Sequence, residues 1–379
     1  MKVALLSDCY LPRLGGIEVQ VHDLAARLHE RGHEVSVFTA TPGPQGQRAG
    51  VVDRVDGVPV HRLALRLPFE LPVNPLAPPE LRRRLLHGGY DVAHVHMGVV
   101  SPFAVDAARV TTAMGLPTTM TWHCMLGALE PALRVAGYVG RWAERGVAMN
   151  AVSRVAAAPL QRIIGPAGQV RVLPNGIDVA RWAAPAGAPR RAGDGIRMVS
   201  AMRLAGRKRP LQLLRVVSRV RKLAGAAVPL HLDVLGEGPQ RGRLERYVAR
   251  NGLEDVVSLP GRVAREELLD RYAAADIYIA PGRLESFGIA ALEARTAGLP
   301  VVGRAGSGIE EFVRDGVNGY LAGGDEAMAT AVARLVGDGD LRAAMAAYNR
   351  EHPPEQSWDD VVAGAEAEYE RARSLAGVR

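Results

Sequence analysis

Two carboxylates stand eight residues apart in PGRLESFGIAALEA, residues 281–294: Glu285 ahead of Phe287, Gly288 and Ile289, and Glu293 beyond them. A helix beginning near Phe287 would present uncompensated backbone N–H groups and the positive end of its dipole, which together make a site for an anion such as a phosphate. Glu293, two turns along, is placed to accept hydrogen bonds from ribose hydroxyls, and Glu285, in the preceding loop, from those of a sugar. The plainer reading of the same spacing is that Glu285 caps the helix and Glu293 lies on the surface.

Arg203 and Lys208 occur in MRLAGRKRP, directly after an apolar run that reads as a strand. Two cations beyond a strand end suit the neutralisation of a departing diphosphate; a solvated basic turn is the alternative. Lys208 is one of three lysines, with Lys2 and Lys222, in a chain that otherwise uses arginine, which points to a need for a compact point charge. Gly15 and Gly16 follow the first strand, where missing side chains permit close approach of a ligand to the backbone. They do not form G-x-G-x-x-G, and their loop is long and proline-bearing, so a dinucleotide oxidoreductase is disfavoured. His123 closes PTTMTWH, as a polar contact or acid/base group or else as a structural histidine.

Other patterns carry less. His94 and His96 alternate onto one strand face, but no third ligand lies near at metal spacing, so they read as structural. Asp338 and Asp340 form an Asp-x-Asp pair ahead of LRAAMAAY, where Asp340 reads as a helix N-cap rather than a ligand of a divalent ion. No nucleophile triad, phosphate-binding P-loop or aromatic-interleaved basic motif of a nucleic-acid binder is visible.

The elements that must position these residues read as two α/β domains, in keeping with 379 residues at roughly 150 per domain. Strand, helix, strand alternation runs from VALLSD through EVSVFTA, DVAHVH, PTTMTWH and VAMNAVS, breaks at the Pro, Gly and Ala-rich stretch 171–195, and restarts with IRMVSAMR, LHLDVLG, VVSLPG, DIYIAPG and PVVG. This predicts a first domain over 1–180, a second over 181–350, and a final amphipathic helix within 351–379. Apolar residues make up 48% and charged residues 23% of the chain, ordinary globular usage that excludes disordered and fibrous classes. No run reaches the ~18 apolar residues of a membrane span, and the N-terminus reads as a strand rather than a signal peptide. Two cysteines, Cys9 and Cys124, exclude a disulfide framework and make a cytoplasmic setting the default. Net charge is +7, with basic stretches over Arg134–Arg171 and Arg190–Lys222 that suit phosphates, nucleotides or acidic lipid surfaces, or simply solvated faces.

Taken together, paired Gly15 and Gly16, His123, LPNGID (173–178), Arg203 and Lys208, LGEGP (235–239), and Glu285 and Glu293 followed by AGLPVV resemble, in order and spacing, the family 4 retaining glycosyltransferases of the GT-B fold, nearly end to end. SDCYLPRLGGIEVQVHDLAARLHERGHEVSVFT is similar to members that glycosylate phosphatidylinositol. The resemblance implies two Rossmann-like parallel-sheet domains facing across a cleft, the first binding the acceptor and the second a UDP- or GDP-sugar, with the last helix crossing back to the first. It implies that Arg203 and Lys208, with the N–H groups of Phe287, Gly288 and Ile289, hold the donor diphosphate. Glu293 would bind the ribose, Glu285 and His123 the transferred sugar, and Arg262 and Val263 would lie near the base. Gly16 would let the first domain close onto the phosphates. No metal or other cofactor is implied. Met202 and Arg209 stand where the family usually has glycine, which affects the shape of the cation loop.

A sugar-nucleotide epimerase or hydrolase, and a non-catalytic nucleotide-sugar binding protein, are the competing readings. For the acceptor, LRVAGYVGRWAER (133–145) suggests a basic helix with Arg134, Arg141 and Arg145 on one face, suited to peripheral contact at the inner face of the cell membrane. The alternative is that Leu133, Val139 and Trp142 pack into the core and the acceptor is a small soluble molecule.

Overall fold

The computed structural model describes residues 1–13, 15–48, 50–65, 72–183, 195–225 and 228–377. The chain forms two compact units, Met1–Gly176 with Trp358–Arg379, and Ile177–Ser357. The divisions therefore fall at 176/177 and 357/358 rather than at 180 and 350. Much of the expected irregular connection, 184–194, with Arg190, Arg191 and Asp194 of the basic stretch, lies outside the described residues.

The first unit runs β1 Lys2–Ser7, α1 Gly16–Glu30, β2 Glu34–Thr39, β3 Val51–Val55, β4 Val58–Arg62, α2 Ala77–Gly88, β5 Val92–Met97, α3 Pro102–Met114, β6 Thr118–Trp122, α4 Glu130–Ala136, α5 Tyr138–Glu144, β7 Ala148–Ala151, α6 Arg154–Ile164 and β8 Arg171–Val172. Its sheet has the order β3-β4-β2-β1-β5-β6-β7-β8, parallel except for the β3–β4 hairpin. That hairpin turns on Asp56 and Gly57, both at positive φ, the two-residue turn that Asp-Gly favours. β1 shows why such strands are continuously apolar: Ala4 and Leu6 enter one core with α2, α3 and α6, while Val3 and Leu5 enter another beneath α1.

The second unit runs α7 Val179–Trp182, β9 Ile196–Ala201, α8 Pro210–Ala224, β10 Leu230–Leu235, α9 Arg241–Arg250, β11 Val257–Gly261, α10 Arg265–Ala273, β12 Ile277–Ile279, α11 Ile289–Thr296, β13 Val301–Arg304, β14 Gly319–Ala322, α12 Asp325–Gly337 and α13 Gly339–Glu351. Its sheet is wholly parallel, in the order β11-β10-β9-β12-β13-β14. Strand order reverses between β9 and β12, and in such sheets ligands bind beyond the carboxyl ends at that reversal. The N-cap of α13 is Asp338, whose side chain accepts from Leu341 N at 2.9 Å, so Asp338 rather than Asp340 does the capping.

The last helix, α14 Trp358–Leu375, completes the first unit. Trp358, Val361, Val362, Ala365, Tyr369 and Ala372 join the core that contains Val3, Leu5, Val21, Leu24 and Leu28. Trp358 lies so close to Gly176 that a β-carbon there would come within 2.5 Å of the indole. Trp358→Ala is expected to destabilise the first unit by about 3–5 kcal/mol, read as a shift in the urea midpoint; a change within about 0.5 kcal/mol would show that α14 is not integral to it.

Candidate active site

The reversal point of the second sheet brings the predicted charges together. Lys208 follows β9 and Glu285 follows β12, and these strands are parallel neighbours, with Tyr278 opposite Val199. Lys208 Nζ lies 2.5 Å from Glu285 Oε2, with both side chains partly buried. Arg203 is exposed on the same loop. A helical turn over Gly206–Lys208, closed by Lys208 N donating to Ala205 O at 2.9 Å, aims the ammonium at the carboxylate.

Glu285 therefore pairs with a cation instead of capping α11. That helix begins at Ile289, and Gly288 is its N-cap at φ 95, a conformation in which an L side chain is strained. Gly288 offers no side chain to the helix end, and the first-turn amides have no acceptor within a helix. The loop over Ser307–Gly308 holds this region from the other side. Gly308 N donates to Glu285 O at 2.8 Å, and a β-carbon on Gly308 would lie 2.1 Å from Ser286 O. Phe287 is buried beneath. Glu293 is 8% exposed, so it is not a surface residue. It lies near Tyr278, whose hydroxyl is pushed up by burial first and by the charges of Glu285 and Glu293 second. Arg262, exposed, and Val263, half-buried, directly follow β11.

The arginine that follows Lys208 is held by a distant residue to which the local sequence does not point. Arg209 adopts the left-handed conformation, φ 60 and ψ 43, which costs a non-glycine residue roughly 1–2 kcal/mol. Its guanidinium binds Asp325 twice, Nη1 to Oδ1 at 2.8 Å and Nη2 to Oδ2 at 2.7 Å. Asp325 is 116 residues away, at the start of α12.

In the first unit, His94, His96 and His123 form a stack rather than isolated side chains. Ring centroids lie 4.1 Å apart for His94 and His96 and 5.3 Å for His96 and His123. His94 bonds to Tyr369 OH at 3.1 Å and Thr121 Oγ1 at 2.8 Å. His96 Nδ1 meets His123 Nε2 at 3.0 Å, and Asn175 hydrogen-bonds His123. Burial drives all three downward, His94 to about 3 and His123 to about 4, with His96 well below its ordinary value. His123 is therefore a neutral hydrogen-bonding group near pH 7. His94 and His96 are structural, as the sequence suggested.

Gly15, at the N-terminus of α1, is pressed by a buried carboxylate of its own helix: a β-carbon on it would meet Glu18 Oε2 at 2.4 Å. Arg13 Nε pairs with Glu18 at 3.4 Å. Asp8, beyond β1, accepts from Phe103 N at 2.9 Å and Ala104 N at 3.2 Å, capping α3, and burial raises it to about 6. The expected basic helix over 133–145 is two helices, broken at Gly137 in the left-handed conformation. Val139 and Trp142 are in the core, with Leu133 packed against it. Among the described residues, no group of three His, Cys, Asp or Glu side chains is disposed to hold a metal ion.

Residues 14–181 match the model of glycosyltransferase family 4, and residues 188–352 that of glycosyl transferases group 1. The chain is 32% identical over 393 residues to D-inositol 3-phosphate glycosyltransferase of Streptomyces scabiei, spanning 94% of this chain and 86% of that protein. It is 29% identical over 386 residues to GDP-mannose-dependent alpha-(1-6)-phosphatidylinositol monomannoside mannosyltransferase of Mycobacterium tuberculosis, spanning 96% of each. Sucrose-phosphate synthase from Thermosynechococcus elongatus has the same fold, with a TM-score of 0.77 at 21% identity over 98% of this chain and 99% of that one. The chain belongs to family 4 of the glycosyltransferases.

The histidine stack makes stability depend on pH. His94, His123 and His61, the last lowered to about 4, bind protons more weakly folded than unfolded. The unfolded chain therefore takes up more protons as pH falls below their ordinary value of 6.5, and stability falls with it until the folded values are passed. Asp8, raised from 3.8 to about 6, works in the opposite sense over that range and offsets part of the loss. The melting temperature is expected to drop as pH falls from about 6.5 towards 4, less steeply in His94→Gln; equal slopes would show that His94 titrates normally.

Proposed function

We propose that the protein moves a hexose or N-acetylhexosamine from a UDP- or GDP-sugar to a hydroxyl of an inositol-based acceptor, retaining the anomeric configuration and requiring no metal. The observation that carries this reading is the Lys208 ammonium set against Glu285 at the reversal point of the second sheet. There Lys208 and Arg203 take the charge that grows on the diphosphate as the sugar–oxygen bond breaks, aided by the N–H groups of Phe287, Gly288 and Ile289. Glu285 binds hydroxyls of the transferred sugar, Glu293 the ribose, and Arg262 and Val263 flank the base. The acceptor is assigned to the first unit, where Gly15 and Gly16 open the loop after β1 and His123 serves as a neutral sugar contact. With acceptor and leaving group on one face of an oxocarbenium-like centre, the departing phosphate oxygen takes the acceptor's proton. The activities for which the two relatives are named, one dependent on GDP-mannose and both acting on inositol derivatives, support this choice of donor and acceptor.

A lipid acceptor calls for contact with a bilayer surface. No helix among the described residues is long and apolar enough to cross a membrane, but α4 has no buried residue and exposes Val135 (87%) beside Arg134. We assign peripheral contact to α4. Sedimentation with phosphatidylinositol vesicles that high salt abolishes is expected; no binding at low salt would leave a soluble inositol phosphate as the acceptor.

The function itself is tested by melting the protein with UDP-, GDP-, ADP- and TDP-sugars, since a bound donor raises the melting temperature by mass action. A UDP- or GDP-sugar should stabilise the wild type and Lys208→Ala far less. With the matching donor, Lys208→Ala should lose ~10² to 10³ in turnover, while chelator leaves wild-type turnover unchanged and yields a glycoside of retained configuration. Full turnover by Lys208→Ala would sink the assignment.

A further inference from the structure

The left-handed Arg209 sits directly after Lys208, and its backbone decides how the Gly206–Lys208 turn hands over to α8. Pro210, the first residue of α8, disfavours the right-handed helical conformation at the residue before it, so Arg209 is left to choose between extended and left-handed states. Among the described residues, the other non-glycine at positive φ is Asp56, in a hairpin turn. Something must therefore hold Arg209 in a state its own side chain opposes.

The contacts identify the holder. Both Asp325 oxygens are engaged by Arg209, and Arg209 Nη1 also donates to Pro281 O at 3.3 Å. Asp325 is gripped in turn by Arg304 Nη1 at 3.3 Å, while Arg304 Nη2 donates to Gly323 O at 3.1 Å. One carboxylate thus ties the loop after β9 to the end of β13, and its two arginines extend the tie to the carbonyls of Pro281 after β12 and Gly323 after β14. Hydrogen bonds from Arg209 hold the Asp325 carboxyl below its ordinary range. The arginine side chains are 18% and 8% exposed and that of Asp325 is 45%, so the cations are shielded while one side of the carboxylate meets solvent.

We infer that Asp325 is a positioning residue for donor binding: by clamping Arg209 in the left-handed state it fixes the turn that carries Lys208 onto the diphosphate. This rests on the reading of Lys208 as a phosphate ligand. The clamp is needed because Arg209 has a side chain; glycine there would reach the same conformation unaided.

A double-mutant cycle decides it, with Asp325→Asn, Arg209→Gly and the two combined, each titrated calorimetrically with GDP and with UDP. Amide exchange of residues 204–210 is followed without nucleotide. Asp325→Asn should weaken binding of the nucleotide the wild type takes by about tenfold, and Arg209→Gly by about threefold at most, with the combined variant no weaker than Arg209→Gly, the non-additivity of residues acting through one contact. Exchange at Lys208 and Arg209 should quicken in Asp325→Asn alone. The inference is overturned if the combined variant is as weak as Asp325→Asn, since Asp325 would then act without Arg209. It is equally overturned if Asp325→Asn binds as the wild type does, or if exchange rises evenly across Ile177–Ser357 with a lower melting temperature. A wild type that bound neither nucleotide would refute the donor-site reading; the exchange data would still judge the clamp, unchanged rates overturning it.

Discussion

Opposite charges held together without full access to water are unstable unless each answers the other, and at the reversal point of the second sheet Lys208 and Glu285 meet that condition across neighbouring strands. The pair fixes much around it. Parallel pairing of β9 with β12 sets the separation of the two loops. Gly308 can approach Ser286 only because it lacks a β-carbon, and its amide holds the Glu285 carbonyl. Gly288 turns α11 so that its uncapped end opens beside the same loop. On the proposed reading, a diphosphate arriving here would find a cation already placed, the electrostatic stabilisation without reorganisation that such a leaving group requires.

The histidine stack of the first unit offers polarity without charge. It stays neutral because burial opposes protonation, and hydrogen bonds tie His94 to Tyr369 on α14 and His96 to His123, directly after β6. His123 is thereby oriented by His96, four residues beyond the start of β5, and by Asn175. The role that suits it is recognition of hydroxyls, not proton transfer near neutral pH.

The sequence revealed the parallel strands because strands buried on both faces are continuously apolar, and it revealed Lys208 and Glu285 because both lie in loops directly after such strands. Its misses have separate physical origins. That a left-handed glycine, not an N-cap side chain, sets the start of α11 was not visible in the spacing. Asp338 and Asp340 are both good caps, and local spacing does not choose between them. The β3–β4 hairpin has a local signal in Asp56-Gly57 flanked by valines, but it interrupts the strand–helix alternation that dominates the rest of the unit. Gly137 likewise marks the break between α4 and α5. The Arg209–Asp325 contact had no local signal at all: it joins residues far apart in the chain through the order of strands, which only the folded sheet supplies.

The central claim is that Lys208 waits on Glu285 for a phosphate. Its most direct test is a crystal structure of the protein with the nucleoside diphosphate that stabilises it most. The account expects a β-phosphate oxygen within hydrogen-bonding distance of Lys208 Nζ and beside the N-terminus of α11. A nucleotide bound elsewhere, with Lys208 and Arg203 making no contact to its phosphates, would contradict it.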